Sequence, residues 1–317
     1  MIVYVIRFLH EAQVRWGVLR DATVTPLPAE LATTRDLIRN VTLSELSALE
    51  GSPIDLAAVK VLSPITRNQQ FVCQGAIYRQ HMVESGVDPD AKNFNMIFTK
   101  AGSCIVEADS DLVRPARVRF LDYEVELGLV LKREIRGAVD VTEQNLHEFV
   151  AGAVIVNDYS ARDVQIPEMQ FYKGKSFRTF GPVGPRLALF DAKDIHLLHE
   201  LTLRLTVNGE ARQQDSTRNL VHGPAATLTE LSRVQDFEPG DLLSTGTPAG
   251  CALAVPAPAV QRLAAALPEK LKWKLFLAAQ AKRRKYLQPG DIVEASIRSD
   301  DGRLDLGVQR NRVVSER

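Results

Sequence analysis

Apolar and polar positions divide the chain into a short amino-terminal stretch and a long, strand-rich remainder. MIVYVIRF at the start is β-rich, and VRWGVL and ATVTPL pattern as paired strands around a turn at Arg20 and Asp21. LATTRDLIRN and LSELSALE then carry helical spacing. Pro64 and the polar stretch 66–70 mark a boundary, so a small α/β unit over 1–66 and a second unit over 67–317 are expected. FVCQGAIYRQHMVESG runs from a short apolar strand, across Gly75, into a helix. Beyond it CIVEAD, YEVELGLVL, AVIVND, LTLRLTVNG, DLLSTG, DIVEASI and LDLGVQRNRVV read as strands. Asn208-Gly209, Pro239-Gly240-Asp241, Pro289-Gly290-Asp291 and Asp301-Gly302 supply turn signals between them. Strands and helices do not alternate regularly, so the pattern predicts an α+β, mostly β fold rather than a doubly wound sheet.

One segment departs from this pattern. Residues 256–287 read as two helices meeting near Pro268. The second sets Lys270, Lys272, Lys274, Lys282, Arg283, Arg284 and Lys285 against a single acid, Glu269, beside a broad apolar stripe. A helix packed on the sheet with its charges in water is the first reading. A rim that attracts an anionic ligand is the second, and a membrane or nucleic-acid contact the third.

Composition narrows the function classes. The chain has 317 residues, with 39 basic and 39 acidic side chains and no formal net charge. It therefore lacks the global basic field of a nucleic-acid binder. Cys73, Cys104 and Cys251 form no CxxC pair, which argues against a disulfide framework or zinc ribbon and for a reducing compartment. The amino-terminal apolar run is broken by Arg7 and His10 and lacks signal-peptide features. No apolar run reaches the roughly 18 residues of a membrane span. A cytoplasmic protein with neither membrane nor nucleic-acid partner is expected.

The chemistry concentrates in LDYEVELGLV, residues 121–130. Leu121, Tyr123, Val125, Leu127 and Leu129 alternate with Asp122, Glu124 and Glu126. Residues two apart share a strand face, so the carboxylates stack about 7 Å apart along one side. Such repulsion is relieved by water on an exposed face, or by a divalent cation in a pocket. Asp158 ends the apolar run AVIVND and offers a third oxygen ligand. Carboxylates without cysteine or nearby histidine favour Mg²⁺, Mn²⁺ or Ca²⁺ over zinc. The spacing alone leaves both readings, metal site and exposed acidic strand, open. His81 and Glu84, at i and i+3 in YRQHMVES, suit a general base steadied by a carboxylate. They equally suit an ordinary surface helix. KGKS at 173–176 fails as a phosphate loop because Met169 occupies the required glycine position. GTPAG at 246–250 fails as a nucleophile elbow because its centre is Pro248. Lys175 beside a glycine, and Thr247 between Gly246 and Pro248, still offer donors to an anionic ligand.

Taken together, these segments resemble a known family. DYEVEL, VNDYSARDVQ, GKSFRTFGPVGP, VNGE, PGDLLSTGTPAG and PGDIVEASI follow the order typical of the fumarylacetoacetate hydrolase family, and YRQHMVE resembles its Tyr-x-x-His-x-x-Glu segment. The resemblance spans about residues 70–312. It implies a rolled mixed β-sandwich, commonly dimeric, with a small N-terminal domain and, here, a two-helix insertion at 256–287. It implies that Glu124, Glu126 and Asp158 bind Mg²⁺ or a similar ion and that His81 and Glu84 activate water. It further implies that Lys175 polarises the substrate while Arg162, Gln165, Gly246 and Thr247 hold its keto-acid end. Asp122, though on the same face by periodicity, then becomes a supporting carboxylate. The substrate expected is a small anionic keto acid such as fumarylpyruvate, cleaved at a carbon–carbon bond in aromatic-compound catabolism. A keto-acid decarboxylase or isomerase, of oxaloacetate or 2-hydroxyhepta-2,4-diene-1,7-dioate type, is the alternative, and a non-catalytic ligand binder a third. One departure is noted: Gly75-Ala76-Ile77-Tyr78 stands where many members carry Gly-x-Asn-Tyr.

Overall fold

The computed structural model describes all residues except 29, 87, 91–93, 257–259, 261–263, 265 and 317. Strand Ile2–His10 pairs antiparallel with Gln13–Arg20, which pairs in turn with Thr23–Pro26 across the expected turn. Helices Thr34–Asn40 and Leu43–Ser47 follow. Each opens on a capping box, Thr33 with Asp36 and Thr42 with Glu45, which satisfies amides that the first turn leaves free.

The first strand also pairs with Leu187–Phe190, in register Val5↔Leu187. The amino-terminal strands therefore extend a thirteen-stranded sheet that continues through Val150–Asn157, Val125–Leu131, Leu242–Ser244, Phe71–Gly75 and Met96–Thr99. The core of residues 1–66 is shared with the rest of the chain: Val5, Trp16 and Leu37 pack in one cluster with Phe71, Val154 and Leu242. Parallel pairings of Leu242–Ser244 with Phe71–Gly75, and of Gly181–Val183 with Ile105–Glu107, make this sheet mixed.

A second sheet orders Glu210–Ser216, Leu201–Val207, Ile292–Ser299, Asp305–Ser315 and Leu112–Arg114. Asn208 and Gly209, with φ of 52° and 82°, make the tight hairpin between its first two strands. Leu127, Leu129 and Ile155 of the large sheet meet Leu203, Leu205 and Ile297 of the second, all with no exposed surface. Burying each such side chain is worth about 1.5–3 kcal/mol relative to exposure. The result is the α+β, strand-dominated fold that the pattern predicts, with the two facing sheets that the family resemblance implies.

The acidic strand differs from its prediction in one respect. It is not continuous over 121–130: Leu121–Asp122 pairs with Ser160–Ala161, and Val125–Leu131 forms a separate strand. At the break, side chains replace the ladder. The Asn157 Oδ1 accepts from the Glu124 amide at 3.0 Å, and the Gln213 Oε1 accepts from the Val125 amide at 3.0 Å. Val125–Leu131 is central, lying between Val150–Asn157 and Leu242–Ser244, and every residue in it is buried. The acidic face is therefore interior, which removes the solvent-exposed reading of the carboxylates.

Of the basic insertion, helix Glu269–Ala281 is present, while the helix expected before Pro268 falls largely outside the described residues. Lys270, Lys272, Lys274, Lys282, Arg284 and Lys285 are exposed, as a solvated face requires. The inner end of the segment is anchored: Gln280 Nε2 donates to the Ala254 carbonyl and Arg283 Nε to that of Ala252, both at 2.8 Å.

Candidate active site

Register brings the site together. Val125 pairs with Asn157, so the chain positions flanking that pair deliver Glu124, Glu126 and Asp158 to one spot. One oxygen from each lies within 4.8 Å of the others, and the residues are 5%, 1% and 0% exposed. Four buried carboxylates meet here if Asp122 is included, against three buried cations. Arg162 donates through Nε to Asp122 at 2.8 Å, through Nη2 to Glu124, and through Nη1 to Gln165 at 2.8 Å. Lys175 bridges Glu124 and Asp158. Lys100 binds the other oxygen of Asp158 and the Phe180 carbonyl, the latter at 2.8 Å.

Among the described residues Glu126 alone of the four has no cationic partner. It accepts from the Ser244 hydroxyl and from the Gly246 amide at 3.2 Å. The titration behaviour follows this imbalance. Burial, reinforced by Asp158 and Glu124, pushes Glu126 well above the ordinary carboxylate range. Burial also acts upward on Glu124, but Arg162 and Lys175 outweigh it and hold that carboxyl well below the range. Burial lowers the proton affinity of Lys175, yet Asp158 and Glu124 leave it raised overall. A buried, converging set of three carboxylates with one charge unmatched fits a hard divalent cation, which would supply the missing positive charge.

A cavity of about 230 Å³ opens on this cluster. Of the residues expected at the site, His81, Glu124, Glu126, Arg162, Gln165, Lys175 and Thr247 line it. Asp158 sits behind Lys175, with both of its oxygens occupied by lysines. Gly246 gives its amide to Glu126 rather than to the cavity. Its φ of 73° requires glycine, and a Cβ there would meet Ile77 Cγ1 at 3.0 Å.

The expected His81–Glu84 pair is on one helix, Arg79–Glu84, but the two side chains are not hydrogen-bonded. Glu84 is exposed and accepts from the Gly250 amide at 3.2 Å. His81 lines the cavity, and its Nδ1 is buried without a hydrogen-bond partner. Burial lowers its proton affinity below the ordinary imidazole value, against the opposing pull of Glu124. Glu84 touches His81 only through its charge.

Three supporting groups complete the cluster. Asp122 accepts from the Ala252 amide at 2.7 Å and the Leu253 amide at 3.0 Å as well as from Arg162, so it fixes a cation and a cavity wall together. Lys100 and Gln213 carry no sequence signal beyond, for Lys100, a charge closing the apolar run MIF. Gln213 is 1% exposed. Its Oε1 holds the Val125 amide, and its Nε2 donates to Thr247 Oγ1 and the Pro248 carbonyl, both at 2.9 Å. The Thr247 hydroxyl in turn donates to the Val125 carbonyl at 3.0 Å, which closes a clamp on the peptide between the two glutamates. Partners that orient ligating carboxylates typically tune affinity by 10- to 100-fold. Gln213→Ala is accordingly expected to weaken Mg²⁺ binding about 10- to 100-fold by calorimetry. Unchanged affinity would show the clamp to be dispensable.

The fumarylacetoacetate (FAA) hydrolase C-terminal family model matches residues 70–314. The oxaloacetate tautomerase FAHD2A, mitochondrial, of Homo sapiens is 33% identical over 230 residues, covering 72% of this chain and 69% of that protein. The solved fumarylacetoacetate hydrolase of Exiguobacterium antarcticum is 28% identical with a TM-score of 0.72, over 99% of this chain and 100% of its own. A maleylpyruvate hydrolase from Sphingobium sp. SYK-6, solved with manganese(II) and pyruvate, shares the fold at 22% identity and a TM-score of 0.71, over 100% of both chains.

Proposed function

Because the chain belongs to the fumarylacetoacetate hydrolase family, we propose that it is a metal-dependent hydrolase that cleaves a carbon–carbon bond in a small acylpyruvate or β-diketo acid. The observation that carries this reading is the position of His81. The residue lines the cavity on which the carboxylate cluster opens, and its Nδ1 is buried and without a hydrogen-bond partner. Glu124, Glu126 and Asp158 would hold the metal, Mg²⁺ by preference and Mn²⁺ or Ca²⁺ as substitutes. When bound, it supplies Lewis acidity toward the oxygens of the keto-acid end.

The chain's own groups then do the following. Arg162, Gln165, Lys175 and Thr247 orient the keto-acid end. His81, kept neutral by burial, takes a proton from water. The hydroxide adds to the distal carbonyl, the bond from that carbon to the methylene breaks, and the electron pair stays with the pyruvate fragment as its enolate. Lys175, an ammonium at neutral pH, stabilises the developing oxyanion. Return of the proton from His81 to the methylene carbon gives pyruvate and the free acid.

A second reading is keto–enol tautomerisation, supported by the name of the human relative and by the absence of a Glu84–His81 hydrogen bond. It needs only a proton shuttle between carbon and oxygen. Acetylpyruvate with Mg²⁺ separates the two: hydrolysis releases pyruvate, detectable by a coupled dehydrogenase, whereas tautomerisation changes the enol absorbance and releases none. The reading extends, on family grounds, to a homodimer in the cytoplasm. No helix among the described residues is long and apolar enough to cross a membrane.

His81→Ala is expected to lower kcat by about 10²–10⁴-fold while Mg²⁺ binding persists. In the wild type His81 works only when neutral. Its lowered proton affinity keeps it so until the pH falls below the ordinary value of 6.5, so the acid limb of kcat/KM lies below that pH. A near-normal kcat in the variant would remove His81 from the mechanism.

A further inference from the structure

The cavity is chemically two-sided. Its cations gather on one side, where they face the carboxylates: Arg162 donates to Asp122, Glu124 and Gln165, and Lys175 to Glu124 and Asp158. Gln74 gives its amide protons to Asn95 and Thr227. Ser85 adds a hydroxyl, and the rest of the wall is largely apolar, built by Met96, Phe98, Ile166, Phe171, Leu253 and Val255 from four separate parts of the chain. Phe98 and Phe171 pack edge to face with ring centroids 5.1 Å apart, and Lys175 Nζ lies 5.1 Å from the Phe98 centroid, so that ring marks where charge ends. The wall is also braced. Asp122 holds the Leu253 amide, and Gln280 of the insertion grips Ala254 through both its amide and its carbonyl. The cavity volume, about 230 Å³, lies below the usual ligand-pocket range of about 300–1,000 Å³.

Resting on the acylpyruvate reading above, we propose that the end of the substrate remote from the keto acid is short, apolar and uncharged. The preferred class is a monoanionic acylpyruvate with a small aliphatic acyl group, not one ending in a second carboxylate. Among the described residues lining the cavity, Arg162 and Lys175 stand with the carboxylate cluster, and the opposite wall carries no lysine or arginine to receive that second carboxylate. Pressing it against phenyl, thioether and aliphatic surface strips its hydration without replacement. This refines the fumarylpyruvate-like substrate that the family resemblance implies. It also gives the helical insertion a function, as the brace behind Leu253 and Val255.

Binding tests the inference independently of turnover. With Mg²⁺ present, calorimetry on the wild-type protein compares 2-oxopentanoate with 2-oxoglutarate, which match in chain length but differ in the terminal carboxylate. The expected result is at least about 100-fold tighter binding of 2-oxopentanoate, the scale on which an unpaired polar group discriminates. Equal or tighter binding of 2-oxoglutarate, or binding of neither, overturns the proposal. Acetylpyruvate is expected to exceed fumarylpyruvate in kcat/KM by a similar factor. If the binding preference holds but acetylpyruvate is not cleaved, the hydrolase reading fails and the wall assignment stands. Leu253→Arg, which places a cation on the wall, is expected to shift the preference at least about tenfold toward the dicarboxylate. An unshifted preference in the folded variant counts against the wall as its source.

Discussion

Glu126→Gln is expected to abolish metal-dependent turnover, lowering kcat by about 10³-fold or more. A ligated metal contributes several kcal/mol to the transition state, and each 1.36 kcal/mol is tenfold in rate. The same substitution is expected to leave the metal-free fold intact and to raise its Tm. Glu126 is a buried carboxylate whose only hydrogen-bond partners among the described residues are a hydroxyl and an amide, and a neutral isostere relieves its desolvation. Mg²⁺ should raise the Tm of the wild type, because a ligand held only by the folded state stabilises it, and leave the variant's unmoved. Thermal melts with and without Mg²⁺ read both effects. Full activity of the variant without metal would remove Glu126 from the site.

Lys175→Met is the second large effect. Lys175 is 3% exposed and bridges Glu124 and Asp158. Removing one partner from a buried ion pair typically costs about 3–5 kcal/mol. The low end applies here, because Arg162 still serves Glu124 and Lys100 still serves Asp158. Urea denaturation of the metal-free variant should therefore show a loss of about 3 kcal/mol, and saturating Mg²⁺ should recover part of it by supplying positive charge to the same oxygens. Turnover should fall at least about 10²-fold through loss of the donor to the enolate oxygen. A variant as stable and as active as the wild type would contradict both roles.

These effects centre on residues that local sequence reveals unevenly. The alternation in LDYEVELGLV placed three carboxylates on one face; the structure breaks that strand after Asp122 and brings Glu124 and Glu126 together with Asp158 instead. Whether that face met water or a pocket depended on Leu242–Ser244, more than a hundred residues away, and on the second sheet. Motif order supplied what periodicity lacked: it singled out Glu124, Glu126 and Asp158 and set Asp122 aside. Asp122 indeed faces Arg162 and two backbone amides and stands outside the converging triad.

Lys100 and Gln213 stayed invisible for a physical reason. Both look like ordinary polar residues, Lys100 just past a strand and Gln213 within one, and only long-range packing buries them, Gln213 within 3.0 Å of a peptide 88 residues away. The helical spacing of His81 and Glu84 held, but spacing on a six-residue helix does not fix side-chain partners. The Gly250 amide, delivered by a loop with φ of 106°, takes the carboxylate instead. The basic insertion was legible as a solvated helix, while its grip on the cavity wall through Gln280 and Arg283 came only from the fold.

Hydrolysis in ¹⁸O-labelled water is the most direct measurement of the central claim. Acetylpyruvate incubated with the protein and Mg²⁺ should yield pyruvate and acetate, with one labelled oxygen in the acetate carboxylate, and neither product should form once the metal is chelated. Recovery of intact acetylpyruvate that has only exchanged its methylene protons would contradict the account and establish a tautomerase in its place.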